Sequence, residues 1–356
     1  MKTPIRALGL DKIAIAIAFS SFFVGGFFAG APQFGRELRS HGVGLPHGLI
    51  SPGDLVGTLW PFSGNVAEGL VGPNAVSYAF HSTEHGVVTV AVGDTEGLAR
   101  EFDRLGYDLD DEQDGGLPVP RVLVASLPPD LNDLNDVERH KSLFFQVMLP
   151  LVLQANELIR DQRARLQTIA DEVAAGRKLS DAERHWLDDL ETYYDVNADD
   201  FPKLLKRVDV VPAALALAQA AIESGWGTSR FAVQGNAIFG QYTTGSSGLT
   251  PVALTGGGSD VRIRSFGGLF DAVMSYMRNL NTHSAYEGFR TLRASERKET
   301  DDLDPIELAG TLTRYSVRGD DYVRDVRRTI RGNQLDDLDN AWLMDGKITR
   351  IVFDNT

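Results

Sequence analysis

Residues 212–223 read Pro-Ala-Ala-Leu-Ala-Leu-Ala-Gln-Ala-Ala-Ile-Glu, and this run constrains the fold more than any other part of the chain. Proline suits the first turn of a helix, where an N–H has no partner to lose. The residues after it are almost wholly apolar, so the helix has no face for water and belongs inside a domain. Its polar side chains, Gln219 and Glu223, stand four apart and share one face. Gly225 and Gly227 then supply the backbone freedom that ends a helix. The spacing therefore predicts a carboxyl at the C-terminal end of a buried helix. Burial and the negative end of the helix dipole both disfavour its charged form. A carboxylic acid held protonated near neutrality is what cleavage of a glycosidic bond asks of its general acid. A structural acid at a helix end, paired with Arg230, is the plainer alternative.

The residues that follow carry a resemblance. Glu223-Ser224-Gly225-Trp226-Gly227, then Gly235-Asn236-Ala237-Ile238-Phe239-Gly240-Gln241, resembles the signature of the bacterial peptidoglycan glucosaminidases of glycoside hydrolase family 73, in particular their Bax-type branch. It runs loosely over residues 123–330 and is densest over 216–242. The resemblance implies a mostly α (α+β) chain: a lysozyme-like helical domain with a small β-hairpin lobe and a glycan-holding groove between them. Glu223 matches the family's general acid. Trp226 and Phe239 match aromatic positions of the motif, and either stack on sugar or pack in the core. Asn236 and Gln241 either bond substrate N-acetyl and hydroxyl groups or tie the loop to backbone. Tyr315, with Tyr322 after it, resembles the late tyrosine motif, in which the first tyrosine lines the catalytic site; Tyr-Ser stands here where many members have Tyr-Ala-Thr.

Many members use a glutamate of the β-lobe as base, and residues 224–286 contain none. The acids there are Asp260 and Asp271. Asp271 sits where a helix should start and reads as a capping residue, which leaves Asp260, by elimination, as candidate base. Attack by the sugar's own N-acetyl oxygen is the alternative. A lytic transglycosylase and a non-catalytic glycan-binding envelope protein are the competing functions.

Composition narrows the partners. With 35 Lys and Arg against 49 Asp and Glu, the net charge of −14 repels a phosphate backbone, so nucleic acid is not an expected partner. The partner that the resemblance implies is the glycan strand of peptidoglycan, and the acidic charge balance leaves its recognition to stacking and hydrogen bonds. There are no cysteines, and the 7 histidines show no ligand spacing, so neither a metal nor another cofactor is expected.

Along the chain, Lys2 and Arg6 precede an uncharged apolar run at 13–31, read as a signal-anchor that contacts the membrane. That places the remainder at the periplasmic side of the inner membrane, anchored, or secreted to the periplasm if the run is cleaved. Residues 32–115 read as a tether and an unassigned region, with a strand at 87–92 and a helix at 95–105 capped by Thr95. The catalytic domain spans 116–332, with its motif core at 212–330. Within it fall a long helix at 136–172 kinked at Pro150, a capping box at Ser180 and Glu183, a short helix at 201–207, a hairpin over 242–266, a helix at 268–280, a charged loop at 296–304, and short helices at 308–312 and 323–330. The tail at 333–356 gives no clear pattern, although Trp342 and 351–353 need somewhere to pack.

Overall fold

A computed structural model describes residues 86–111, 116–244, 248–249, 261–300 and 302–354. The apolar run at 13–31 and Asp260 lie outside the described residues. The chain is helix-rich with a few short strands. Its elements in order are β1 (Val87–Val92), α1 (Thr95–Arg104), β2 (Pro118–Val119), β3 (Val122–Val124), α2 (Val137–Ala174), α3 (Asp181–Tyr193), α4 (Phe201–Arg207) and α5 (Ala213–Ser224). There follow α6 (Arg230–Gly235), β4 (Tyr242–Thr244), β5 (Val261–Ile263), α7 (Leu269–Thr282), α8 (Glu287–Glu299), α9 (Pro305–Ala309), α10 (Asp320–Gly332), a 3-10 turn (Leu335–Asn340), β6 (Trp342–Leu343) and β7 (Ile348–Phe353).

The alanine- and leucine-rich α5 is the axis of the core, packed by α2, α10 and the 3-10 turn. All but Ile222 and Glu223 of its 12 residues are buried, as a helix without a polar face requires. The 38-residue α2 is long and apolar enough to cross a membrane by composition, yet 83% of that apolar window is buried inside the protein. It is a core helix. Asp136 caps it by accepting from the N–H groups of Glu138 and Arg139, and it continues through Pro150. Gln154 Nε2 donates both to Pro150 O and to Val122 O, which joins the helix to β3. The capping box at Ser180 and Glu183 is present on both sides.

Two expectations are corrected. Asp94, not Thr95, caps α1, accepting from Gly97 N at 2.7 Å. Thr95 is instead the first helical residue, and its N–H and hydroxyl both donate to Asp130. Residues 296–299 are helical, not loop, because the charges of α8 are paired inward. Arg293 is fully buried and donates to Val210 O at 2.7 Å, and Arg297 donates to the buried Asp209 carboxylate at 3.0 Å. Arginine spaced along a helix looks solvated in sequence, while here backbone carbonyls and one carboxylate hold it in the interior.

The tail, which shows no clear pattern in the sequence, supplies a strand. β7 is the middle strand of a parallel sheet ordered β1-β7-β3, in register from Val87 opposite Ile348 to Val92 opposite Phe353. β2 pairs in parallel with β6 in the same way. These ladders join residues on both sides of the expected boundaries at 116 and 332.

The tail also caps the central helix. Pro212 offers α5 no side-chain cap, and Asp339 from the 3-10 turn accepts from Ala214 N at 2.9 Å and from Ala213 N. Burial outweighs these donors and pushes the Asp339 carboxyl up to about 7. The folded state then holds this proton more tightly than the unfolded chain. Its contribution is full at low pH and is lost as pH rises through about 7. Asp339→Asn keeps the acceptor without the charge. It is expected to match the wild type in thermal unfolding near pH 4 and to exceed it by ~1–3 kcal/mol at pH 8. A variant less stable at pH 8 would contradict this.

Candidate active site

The turn after α5 is built so that Glu223 faces outward from a rigid end. Gly225 and Trp226 both take left-handed backbone, at φ 58° and 59°, and Trp226 N returns to Ala221 O at 2.8 Å. Ser224 is buried; its hydroxyl donates to Ala220 O at 2.6 Å and accepts from Gly227 N at 2.8 Å. At Gly227, φ is 81° and an added Cβ would lie 2.8 Å from Leu127, so neither the conformation nor the space admits a side chain. The Glu-Ser-Gly-Trp-Gly sequence is thus a folded turn whose parts hold one another, with the acid at its start.

Glu223 as a whole residue is partly exposed, while protein surrounds its carboxyl. Burial pushes it up to about 7, against a hydrogen bond from Tyr322 and the charge of Arg318, which both pull it down. The Arg318 side chain is held by an ion pair with Asp325. Phenols feel the Glu223 charge from four further positions: Tyr242 after α6, Tyr276 on α7, Tyr286 beside α8, and Tyr315. Burial first, and that charge second, push Tyr315 well above its ordinary value. All therefore remain neutral hydrogen-bonding groups at physiological pH. Tyr315 and Tyr322 stack with planes 5° apart and centroids 5.4 Å apart, and Tyr286 lies 5.7 Å from Tyr315.

Of the residues expected at the site, the fold brings together Glu223, Tyr315 and Tyr322. Trp226, Asn236, Phe239 and Gln241 make contacts of their own around it, and Asp260 lies outside the described residues. The Trp226 ring packs edge-on against Phe145 at 5.2 Å and Phe144 at 6.1 Å, with Lys141 over its face. Phe239 is buried and stacks on Tyr276 at 4.0 Å. Asn236 Nδ2 donates to Phe266 O, and Gln241 Nε2 to Ser275 O, while Gln241 Oε1 has no partner. This loop meets the acid with backbone: at Gly240, φ is 58° and an added Cβ would stand 3.7 Å from Glu223 Oε2. Asp271 lies in the first turn of α7 and accepts from Gly268 N–H, the capping role expected of it; burial pushes it up to about 6. Among the described residues no group of three or more His, Asp or Glu side chains is placed to hold a metal ion.

Sequence reading gave no site role to Tyr242, Tyr276, Tyr286 or Arg318, and treated Gln219 only as a neighbour of Glu223 on the helix. Tyr242 ends the densest part of the motif and was the most findable. Tyr276 carries no local signal, since an amphipathic helix such as α7 buries an aromatic residue without any site.

An acid on a buried helix, ringed by phenols and followed by this turn, lies wholly within residues 198–335, which match the family described as mannosyl-glycoprotein endo-beta-N-acetylglucosaminidase. Protein bax of Escherichia coli (strain K12) is 32% identical over 205 residues, covering 56% of this chain and 71% of that protein. The chain belongs to the Bax-type glucosaminidase-like family. No solved structure matches it.

Proposed function

We propose that the protein is a peptidoglycan hydrolase, an endo-β-N-acetylglucosaminidase that cleaves β-1,4 bonds of wall glycan with Glu223 as general acid. The observation that carries this reading is a carboxyl pushed up to about 7 on a rigid helix end, in a partly exposed residue lined by neutral phenols. In the lysozyme-like arrangement this implies, protonated Glu223 gives its proton to the leaving glycosidic oxygen. Tyr315 borders the acid and offers a hydroxyl to the sugar. The family match over the whole site supports a glycan substrate. The second group is Asp260, acting as base on water, or the substrate's acetamido oxygen. The run at 13–31 behind Lys2 and Arg6 supports attachment at the periplasmic face of the inner membrane or secretion into the periplasm.

Digestion of purified wall sacculi with mass analysis of the new sugar ends tests the reading. Reducing N-acetylglucosamine ends are expected; anhydro-muramic ends would make it a lytic transglycosylase, and binding without new ends a non-catalytic wall protein. Because the acid must be protonated to act, kcat/KM is expected to fall about tenfold per pH unit above the Glu223 value near 7. A rate that stays flat to pH 9 would refute the assignment of the acid.

A further inference from the structure

Glu223 stands at the end of a buried series of hydrogen bonds that begins on a different helix. Tyr276 of α7 donates to Gln219 Oε1 at 2.7 Å, Gln219 Nε2 donates to the Tyr322 oxygen at 2.8 Å, and Tyr322 bonds Glu223. Gln219 and Tyr276 are fully buried, so neither reaches a substrate. Each link fixes the direction of the next. The Tyr276 phenol has its proton to give, and it gives it to the amide oxygen; the amide nitrogen must then face Tyr322. An amide nitrogen only donates, so the Tyr322 oxygen is the acceptor there, and its own proton is left for the carboxyl. The carbonyl oxygen of a protonated carboxyl is its better acceptor, so this hydrogen bond favours placing the acid's own proton on the other oxygen.

We propose that Gln219 is a positioning residue which, locked by Tyr276, makes Tyr322 a one-way donor to Glu223 and so places the transferable proton on the carboxyl oxygen turned away from Tyr322. This rests on the reading of Glu223 as general acid. The reversed amide shows why Tyr276 matters. With the amide turned over, Gln219 would accept from Tyr322, whose oxygen would then accept a hydrogen bond from the Glu223 carboxyl and turn the acid's proton inward. Tyr276 opposes that state because its own proton would lose the acceptor it now has. A buried hydroxyl without an acceptor is costly.

The groups acting on Glu223 are Tyr322 and Arg318, which favour its charged form, and burial, which opposes it; Tyr242, Tyr276, Tyr286 and Tyr315 complete the surroundings. Removing the amide frees Tyr322 to turn from donor to acceptor, so the Glu223 proton should be held more tightly.

The test is a carbon-13 NMR titration of Glu223 in full-length protein labelled at glutamate, without substrate, in wild type, Gln219→Met and Tyr276→Phe, with Glu223→Gln identifying the resonance. The Glu223 pKa is expected to rise by about one pH unit in Gln219→Met and by less in Tyr276→Phe. In wall hydrolysis the alkaline limb should move by the same amount, with kcat lowered roughly tenfold and KM unchanged. Glu223 titrating as in wild type in the folded variants would overturn the proposal; should Gln219→Met fail to fold, Tyr276→Phe, which loses one hydroxyl, decides it. The titration needs no turnover. Failure of the functional reading would show separately, as undiminished hydrolysis by Glu223→Gln.

Discussion

Glu223→Gln is expected to lower wall hydrolysis by about 10²–10⁴-fold while leaving the protein folded. The amide fills the same volume at the end of α5, and the turn that follows is held by Ser224, Gly225 and Gly227 and not by the carboxyl. Tyr322 still finds an acceptor in the amide oxygen. What disappears is the proton. Because burial already favours the uncharged form, exchanging the acid for a neutral amide relieves a cost, and the melting temperature should equal or exceed that of the wild type above pH 7. The sign follows from a folded pKa raised above the unfolded carboxylate value: the stability this group contributes at low pH is lost as pH rises through about 7. Sugar-end analysis of digested sacculi, together with thermal unfolding, checks both halves. A folded variant that hydrolyses wall glycan at the wild-type rate would remove Glu223 from the mechanism, and with it the proposed function.

Ending the chain at Gly346 is expected to abolish the cooperative thermal transition of the wild type. The cut removes β7, which lies between β1 and β3 and hydrogen-bonds to both. Ile348 and Ile351 are fully buried, and losing each forfeits ~1.5–3 kcal/mol of burial. Backbone groups on both sides also lose partners: Ala125 N donates to Ile351 O at 2.9 Å, Arg121 O accepts from Thr349 N at 2.8 Å, and Val92 O accepts from Asp354 N at 3.0 Å. A domain stable by ~5–15 kcal/mol does not tolerate that sum. Starting the chain at Gly116 is the milder cut, since among the described elements it takes away β1, an edge strand, and α1. Circular dichroism melting of the two shortened proteins should rank them in that order. An unchanged transition in the protein ending at Gly346 would show that the parallel sheet contributes nothing to the core.

The acid was legible because its signals are local. A run of alanine and leucine broken by one glutamate and closed by Gly-Trp-Gly specifies a buried helix, its end and the acid upon that end, all within sixteen residues at 212–227. Gln219 was visible on the same face, but its two partners stand 57 and 103 residues away in the chain, so its use could not be read. Trp226 and Phe239 show the reverse. Their place in a motif suggested sugar stacking as readily as packing, and the fold sets one against Phe144 and Phe145 and the other on Tyr276.

By itself the sequence determined the elements whose causes lie within a few turns: α5, its glycine cap, the Ser180 capping box, the short α4 and the strand at 87–92. Tertiary structure alone decided where distant segments pair. It put residues 348–353 into the middle of the sheet, gave α5 its N-terminal cap from Asp339, buried Arg293 against backbone carbonyls, and gathered tyrosines from four separate segments around Glu223. A short strand, a capping carboxylate and a buried arginine each need a partner to lower their free energy, and nothing near them in the chain says which partner the fold will supply.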